Sequence, residues 1–277
     1  MRTQIIPLPE WRAPLAGYLA WLTAASRPAT TQYQRSYQLR RFAATTGLSP
    51  RLVTHDDLIT YLGSHAWGNS TVHAVRSTFR SFFYWAYHVA HIVEDNPAEL
   101  LPSTRPDTGQ PRPAAEVDID GALSHADQRT RMMIQLGSNV GLRCCEICKV
   151  HTGDLFQDIV GDWGLLVRGK GRKPRQVPVP RRIALEIRLL EPGYLFPGKI
   201  DGHLSAGYVS KLVSRSLPKH VTAHMLRHRF ASRTYVGAHH DIRAVQTLLG
   251  HSSVATTQVY TAIPAGALRD AVEFAAA

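Results

Sequence analysis

Through most of the first hundred residues, apolar side chains recur every three or four positions. That is the period of a helix with one buried face. The spacing predicts helices over EWRAPLAGYLAWLTAAS, over TTQYQRSYQLRRFAATTG with a stop at Gly47, and over THDDLITYLGSHA. The last opens on Thr54, a good N-cap, with two acids in its first turn to suit the helix dipole. The longest, NSTVHAVRSTFRSFFYWAYHVAHI, is capped by Asn69 or Ser70 and carries Phe79, Phe82, Phe83, Trp85 and Tyr87 at helical spacing, the pattern of a core face.

The periodicity breaks over 102–113, PSTRPDTGQPRP, where four prolines and Gly109 favour extended chain. This predicts a helical unit over 1–101, a Pro-rich linker over 102–113 and a second unit over 114–277. In the second unit ADQRTRMMIQLGSNVG reads as a helix ending at Gly141, with a short helix, LRCCEICKV, after it. The pattern then switches to strands: GLLV and QVPV flank the basic turn RGKGRK, which makes a β-hairpin with a charged tip. Helical spacing resumes at RRIALEIRLL, LSAGYVSKLVSRSL, TAHMLRHRFASRTY, DIRAVQTLLG, SVATTQVY and a tail, GALRDAVEFAAA. The fold class expected is mainly α with a small antiparallel β-hairpin: a helical domain followed by a mixed α+β domain.

Charge changes the picture more than composition does. The 277 residues carry a formal net charge of +11, which favours a polyanionic partner, nucleic acid before an anionic membrane. No apolar run is long enough for a membrane span, and Pro7, Pro9 and Glu10 interrupt the stretch a signal peptide would need. These point to an intracellular, cytoplasmic protein. In the first unit every lysine-or-arginine position is arginine, and Arg35, Arg40, Arg41, Arg76 and Arg80 fall on polar helix faces. They are candidates for phosphate-backbone contact, against the plainer reading of solvated faces.

Three metal readings compete with simpler ones. Cys145 and Cys148 form a C-x-x-C beside Cys144, with His151 following, but there is no second pair, and cysteine in a helix is a good small packing residue. His224 and His228 are spaced as in a metalloprotease helix without its glutamate, and the His239–His240–Asp241 cluster suits a helix cap.

Four short motifs in the second unit share one chemistry. GLRCCEI places Arg143 at a helix start and Glu146 one turn on, and the hairpin tip carries Lys170 among Arg168, Arg172 and Lys173. HMLRHRF sets His224 and Arg227 on one helix face, and LLGHSSVATTQVY holds His251 and, nine residues on, Tyr260. Each alone has a bland explanation, such as a cap arginine, one charge of a basic turn or an aromatic anchor. Together they are an inventory for cutting a phosphodiester without metal. Two guanidinium forks suit the non-bridging oxygens. A tyrosine hydroxyl, with a pKa of ~10, needs a proton acceptor such as histidine before it attacks. The departing 5′-oxygen needs a proton, which a lysine can deliver.

On these words the second unit resembles the tyrosine recombinases, the phage integrases and Xer-type resolvases, over roughly residues 115–265. GLRCCEI resembles the family's first arginine box, VRGKGRKPRQVPV its lysine hairpin, HMLRHRFA its H-x-x-R helix and LLGHSSVATTQVY its last box. The paired cysteines after Arg143 depart from the usual small residues. The first unit is similar to the family's helical core-binding domain only in length, helicity and position. The resemblance implies Arg143, Lys170, His224, Arg227, His251 and Tyr260 as catalytic residues with Glu146 in support, and no cofactor. It further implies double-stranded DNA core sites as the partner, a homotetramer on two such sites, and accessory DNA-bending or directionality proteins as further partners. It places the protein in a prokaryotic or phage setting, on the nucleoid. A type IB topoisomerase would use the same chemistry. A regulator that reads DIRAVQTLLGHSSVATTQVY as helix-turn-helix would use none of it.

Overall fold

The structure is a computed structural model and describes residues 8–104, 112–169 and 174–250. The chain divides into two compact units, residues 1–109 and 110–277.

The first unit packs four helices: α1 (Pro9–Ala24), α2 (Ala29–Thr46), α3 (His55–Gly63) and α4 (Asn69–His88). Pro9 opens α1, where its missing N–H costs nothing, and Trp11, Leu15, Tyr18 and Leu22 form its buried stripe. Gly47 ends α2 in the left-handed conformation and Thr54 caps α3, both as the sequence suggests, and Asp57 adds the reciprocal bond of a capping box. α4 begins one residue earlier than a side-chain cap would place it, with Gly68 at the cap position. The core is aromatic: Trp11 stacks on Phe82 at 5.3 Å, while Phe42 meets Tyr61 and Phe79 edge-on at 4.9 and 5.0 Å. Phe79, Phe82, Phe83 and Trp85 are buried as expected, but Tyr87 is exposed, because it lies beyond the edge of the stripe those residues share.

The second unit surrounds α6 (Gln128–Asn139), which Asp127 caps at the Thr130 N–H and which is buried on almost every side. α5 (Glu116–His125) precedes it and the single turn α7 (Cys144–Ile147) follows. A three-stranded antiparallel sheet comes next, in the order β1 (Leu155–Gln157), β2 (Trp163–Arg168), β3 (Pro174–Pro178). Leu165 of β2 faces Leu155 and Val177, and Arg168 faces Pro174 at the base of the basic turn. Then come α8 (Arg181–Arg188), the short strand β4 (Pro197–Ile200), α9 (Ala206–Ser216), α10 (Ala223–Gly237) and α11 (Ile242–Leu249). Met133, Leu136, Ile147, Leu165, Val177, Ile187 and Leu226 bring helices and sheet into one core.

Among the described residues, α5, β1 and β4 lie outside the sequence expectation. The helix expected over 126–141 spans Gln128–Asn139, and the helices expected over SVATTQVY and the tail lie outside the described residues. Asp241 caps α11 by accepting from the Arg243 and Ala244 N–H groups, and Cys148 is buried with its thiol donating to the Cys145 carbonyl. Burial pushes the Cys148 thiol up to about 11, so it packs as an apolar group. No helix among the described residues is long and apolar enough to cross a membrane.

Candidate active site: three guanidiniums on one buried carboxylate

The site is built around Glu146. Its side chain has no exposed surface, so its charge must be met inside the protein. α7 turns it back on the preceding strand-like backbone, where the Arg143 N–H donates to Oε2 at 2.8 Å and Arg143 Nη1 to Oε1 at 3.1 Å. Arg175, from β3, sets a two-pronged fork on the same carboxylate: Nη1 to Oε1 at 2.7 Å and Nη2 to Oε2 at 3.1 Å. Arg227, from α10, brings Nη1 to 3.7 Å of Oε2. Burial alone would raise this carboxyl, but the hydrogen bonds from Arg175 and the Arg143 backbone, with the charges of Arg175 and Arg227, outweigh it and hold it below its ordinary value.

The end of α11 completes the cluster. A helix leaves its last carbonyls without intrahelical partners, and its C-terminus favours positive charge. Here those carbonyls are taken by the arginines. Leu249 O accepts from Arg227 Nη2 at 2.7 Å and from Arg143 Nη1 at 3.4 Å, and Leu248 O accepts from Arg175 Nε at 3.2 Å. Arg227 Nη1 also donates to Gly141 O at 2.5 Å. Two glycines make this close approach feasible. Gly250 sits at φ +64, and a Cβ there would fall 2.8 Å from Arg175 Cδ; Gly141 sits at φ +73, and a Cβ would fall 2.3 Å from the Phe230 ring.

Three guanidiniums and one carboxylate leave a net charge of about +2 before any ligand arrives. Arg227 is 1% exposed, Arg175 15% and Arg143 35%, so Arg143 is the member that opens most to solvent. His224, at the start of α10, is exposed and packs edge-on to His228 at 4.3 Å. Its ring is pushed below the ordinary histidine value, first by partial desolvation and then by the charges of Arg227 and Arg143. His228, farther in, is pushed down to about 4 by burial, with help from His224 and Arg227. A depressed pKa keeps His224 neutral at pH 7, the form that accepts a proton.

The described part of the predicted site thus converges: Arg143, Glu146, His224 and Arg227 lie together. Lys170, Arg172, Lys173, His251 and Tyr260 lie outside the described residues. Along the chain, residues 170–173 lie between β2 and β3, and His251 follows Gly250.

The arginines proposed for the DNA backbone separate into groups. Arg35 Nη1 bonds Ser81 Oγ at 2.6 Å and Tyr18 Oη at 3.1 Å, and Arg76 Nη2 bonds Leu101 O at 2.8 Å, so both half-buried guanidiniums have partners within their own unit. Arg41 lies over the Trp67 ring at 5.4 Å, Arg40 is half-buried and Arg80 is exposed. Arg168 is exposed and paired with Asp154 at 2.7 Å.

Arg175 is the residue that sequence reading misses. Its signal is parity: Arg175 and Val177 of β3 alternate with Val179 just past the strand's end, and both valines are buried, so an arginine two positions earlier points to the same inner face.

A cluster with this net positive charge suits a tetrahedral anion, and comparison with known proteins gives it a context. Residues 116–265 match the Phage integrase family. The chain is 31% identical to tyrosine recombinase XerC of Xanthomonas campestris pv. campestris, over 92% of this chain and 77% of that protein. It is 30% identical to tyrosine recombinase XerA of Thermococcus kodakarensis, over 86% of each. Among solved structures its fold is similar to that of a lambda integrase dimer bound to a COC′ core site (TM-score 0.70, 19% identical, 90% of this chain and 76% of that one). It is also similar to the XerH site-specific recombinase bound to difH substrate (TM-score 0.65, 20% identical, 90% and 80%). The class is that of the tyrosine recombinases, enzymes of site-specific recombination that break and rejoin DNA strands. Within it, this chain belongs to the phage integrase family.

Proposed function

We propose that the chain exchanges strands between two double-stranded core-type sites with the residues named from sequence in the following roles. Tyr260 Oη attacks the scissile phosphorus and gives its proton to neutral His224. The bond from phosphorus to the 5′-oxygen breaks, Lys170 protonates that oxygen, and a 3′-phosphotyrosyl link remains. Arg143 and Arg227 hold the non-bridging oxygens, His251 donates to one of them, and Glu146 orients the arginines. A partner strand's 5′-hydroxyl then attacks the phosphotyrosine and releases the tyrosine. Two rounds pass through a Holliday junction. Because the phosphotyrosine conserves the energy of the broken bond, neither ATP nor a metal is needed for rejoining.

The observation that carries this reading is the clustering of Arg143 and Arg227 around Glu146 at the very helix end from which the chain runs on to His251. Under the same proposal the helical unit over 1–101 grips the DNA, with Arg40, Arg41, Arg80 and the hairpin's Arg168, Arg172 and Lys173 at the backbone, and the unit over 114–277 does the chemistry. Arg35 and Arg76, half-buried and bonded within that unit, stay among the candidates for backbone contact. A homotetramer assembles on two sites, the C-terminal helix docks either on its own unit or on a neighbour, and the protein works on the nucleoid with or without DNA-bending accessory proteins.

Incubation with nicked DNA followed by denaturing electrophoresis tests the first step: protein must remain attached to the strand. Exchange between two sites on one plasmid, scored against relaxation of a plasmid with none, tests the second. Relaxation without exchange would make the chain topoisomerase-like, and absence of any adduct would leave a DNA-binding regulator.

The histidine gives a pH prediction. His224 titrates in the free enzyme below its ordinary ~6.5. Adduct formation at subsaturating DNA should therefore hold steady from pH 8 to 7 and decline only below pH ~6.5, as the acceptor is protonated. A rate that rises on acidification through that range would mean that the charged form acts, and would remove His224 from the acceptor role.

A further inference from the structure

Glu146 presents two buried oxygens, and four donors reach them within hydrogen-bond distance: the Arg143 N–H, Arg143 Nη1, and both terminal nitrogens of Arg175. Half of that demand is met by Arg175 alone. Arg227 stands just beyond bonding distance, with Nη1 on Gly141 O and Nη2 on Leu249 O. Take the Arg175 fork away and the buried carboxylate must find other donors. The nearest are Arg143 and Arg227, which would be drawn inward. The same arginine reaches α11 with Nε on Leu248 O, and its Cδ occupies the space that a side chain on Gly250 would need. One side chain thus bears on the carboxylate, on both neighbouring guanidiniums through it, and on the point where the chain leaves for His251.

We propose that Arg175 is a positioning residue for the phosphate grip: by saturating Glu146 and pinning the last turn of α11, it leaves Arg143 and Arg227 set to receive the scissile phosphate. The proposal rests on the recombinase reading above. Arg175 touches no reacting atom. Its effect runs through the two arginines and not through the proton that leaves with the 5′-oxygen. Lysine is a poor substitute, because a single ammonium cannot make the parallel bonds to both carboxylate oxygens and the third to Leu248 O.

The test compares Arg175→Gln, Arg175→Lys and wild type on three nicked substrates: an ordinary phosphodiester, a scissile methylphosphonate, and a scissile phosphate with sulfur at the 5′-bridging position. The methylphosphonate has no charge on its non-bridging atoms, so it depends less on the guanidiniums. The bridging sulfur leaves without a proton, so it bypasses the lysine. Site binding is measured in parallel by mobility shift, and folding by thermal melting. On the ordinary substrate, Arg175→Gln should bind DNA as wild type does and form adduct ~10²-fold more slowly, the scale of a small misplacement of a reactive group. The deficit should shrink to below ~10-fold on the methylphosphonate and stay at ~10²-fold on the bridging sulfur, with Arg175→Lys intermediate on the ordinary substrate. If Arg175→Gln melts before assay temperature, Arg175→Lys carries the same comparison of substrates. Recovery on the bridging sulfur would overturn the proposal in favour of an action on the Lys170 turn. Wild-type rates, or an equal deficit on phosphate and methylphosphonate, would overturn it outright. A wild-type protein that forms no adduct on the ordinary or sulfur substrate would instead refute the recombinase reading beneath it.

Discussion

Tyr260→Phe protein should shift its DNA site on a native gel as wild type does and yield no covalent adduct on a denaturing one. Phenylalanine keeps the ring and removes only the oxygen, so packing and DNA affinity have little to lose. The chemistry has everything to lose, because the four described site residues offer acid–base and electrostatic help but no comparable nucleophile: two guanidiniums, a carboxylate sealed in the interior and an imidazole. In enzymes where the nucleophile acts as one of a set, its removal costs on the order of 10⁶ in rate. Here that places the product below detection. An adduct that survives the substitution would mean that another residue attacks, and the role of the LLGHSSVATTQVY segment would have to be redrawn.

Glu146→Ala should be the most damaging change to stability. A buried ion pair adds little over a well-packed apolar group, but removing one partner leaves the other's charge buried and unmet, at a cost of about 3–5 kcal/mol. The carboxylate lost here serves three arginines, of which Arg227 is 1% exposed and cannot turn to water. The expected outcome is a fall of about 10 °C in the thermal midpoint of the unit that contains it. Acid should act on wild type in the same direction. The folded carboxyl titrates below its unfolded value of 4.5, so its contribution is complete above that pH and is lost as pH falls through the lowered folded value. The Ala variant should lack this part of the acid dependence. A melting temperature unchanged by the substitution would show that the arginines are not held by Glu146.

Much of this site is legible in the sequence because its parts carry local signatures. An arginine followed three residues on by glutamate, His224 and Arg227 one turn apart, and glycine directly after an apolar helix can all be read in short windows. Arg175 is hidden by its neighbours: it ends a run of basic residues that reads as a charged turn, and only the burial of Val177 and Val179 reveals that its face is the inner one. Arg35 and Arg76 mislead in the opposite way. Their positions on polar helix faces suggest solvent, yet Ser81 Oγ, Tyr18 Oη and Leu101 O draw them inward, and those acceptors lie on other elements or beyond the helix end. The helix α5 escapes notice because it buries only Ile119 and Ala122, too few for a period to show, and β1 and β4 are three and four residues long. Tertiary partners, not propensity, fix these pieces.

The Leu249 carbonyl, which serves both Arg143 and Arg227, stands two residues before His251. Two peptide units, at most about 7 Å of extended chain, separate that shared acceptor from the residue proposed to donate to the phosphate. Any change that shifts the end of α11 therefore moves the acceptor on which both guanidiniums rest.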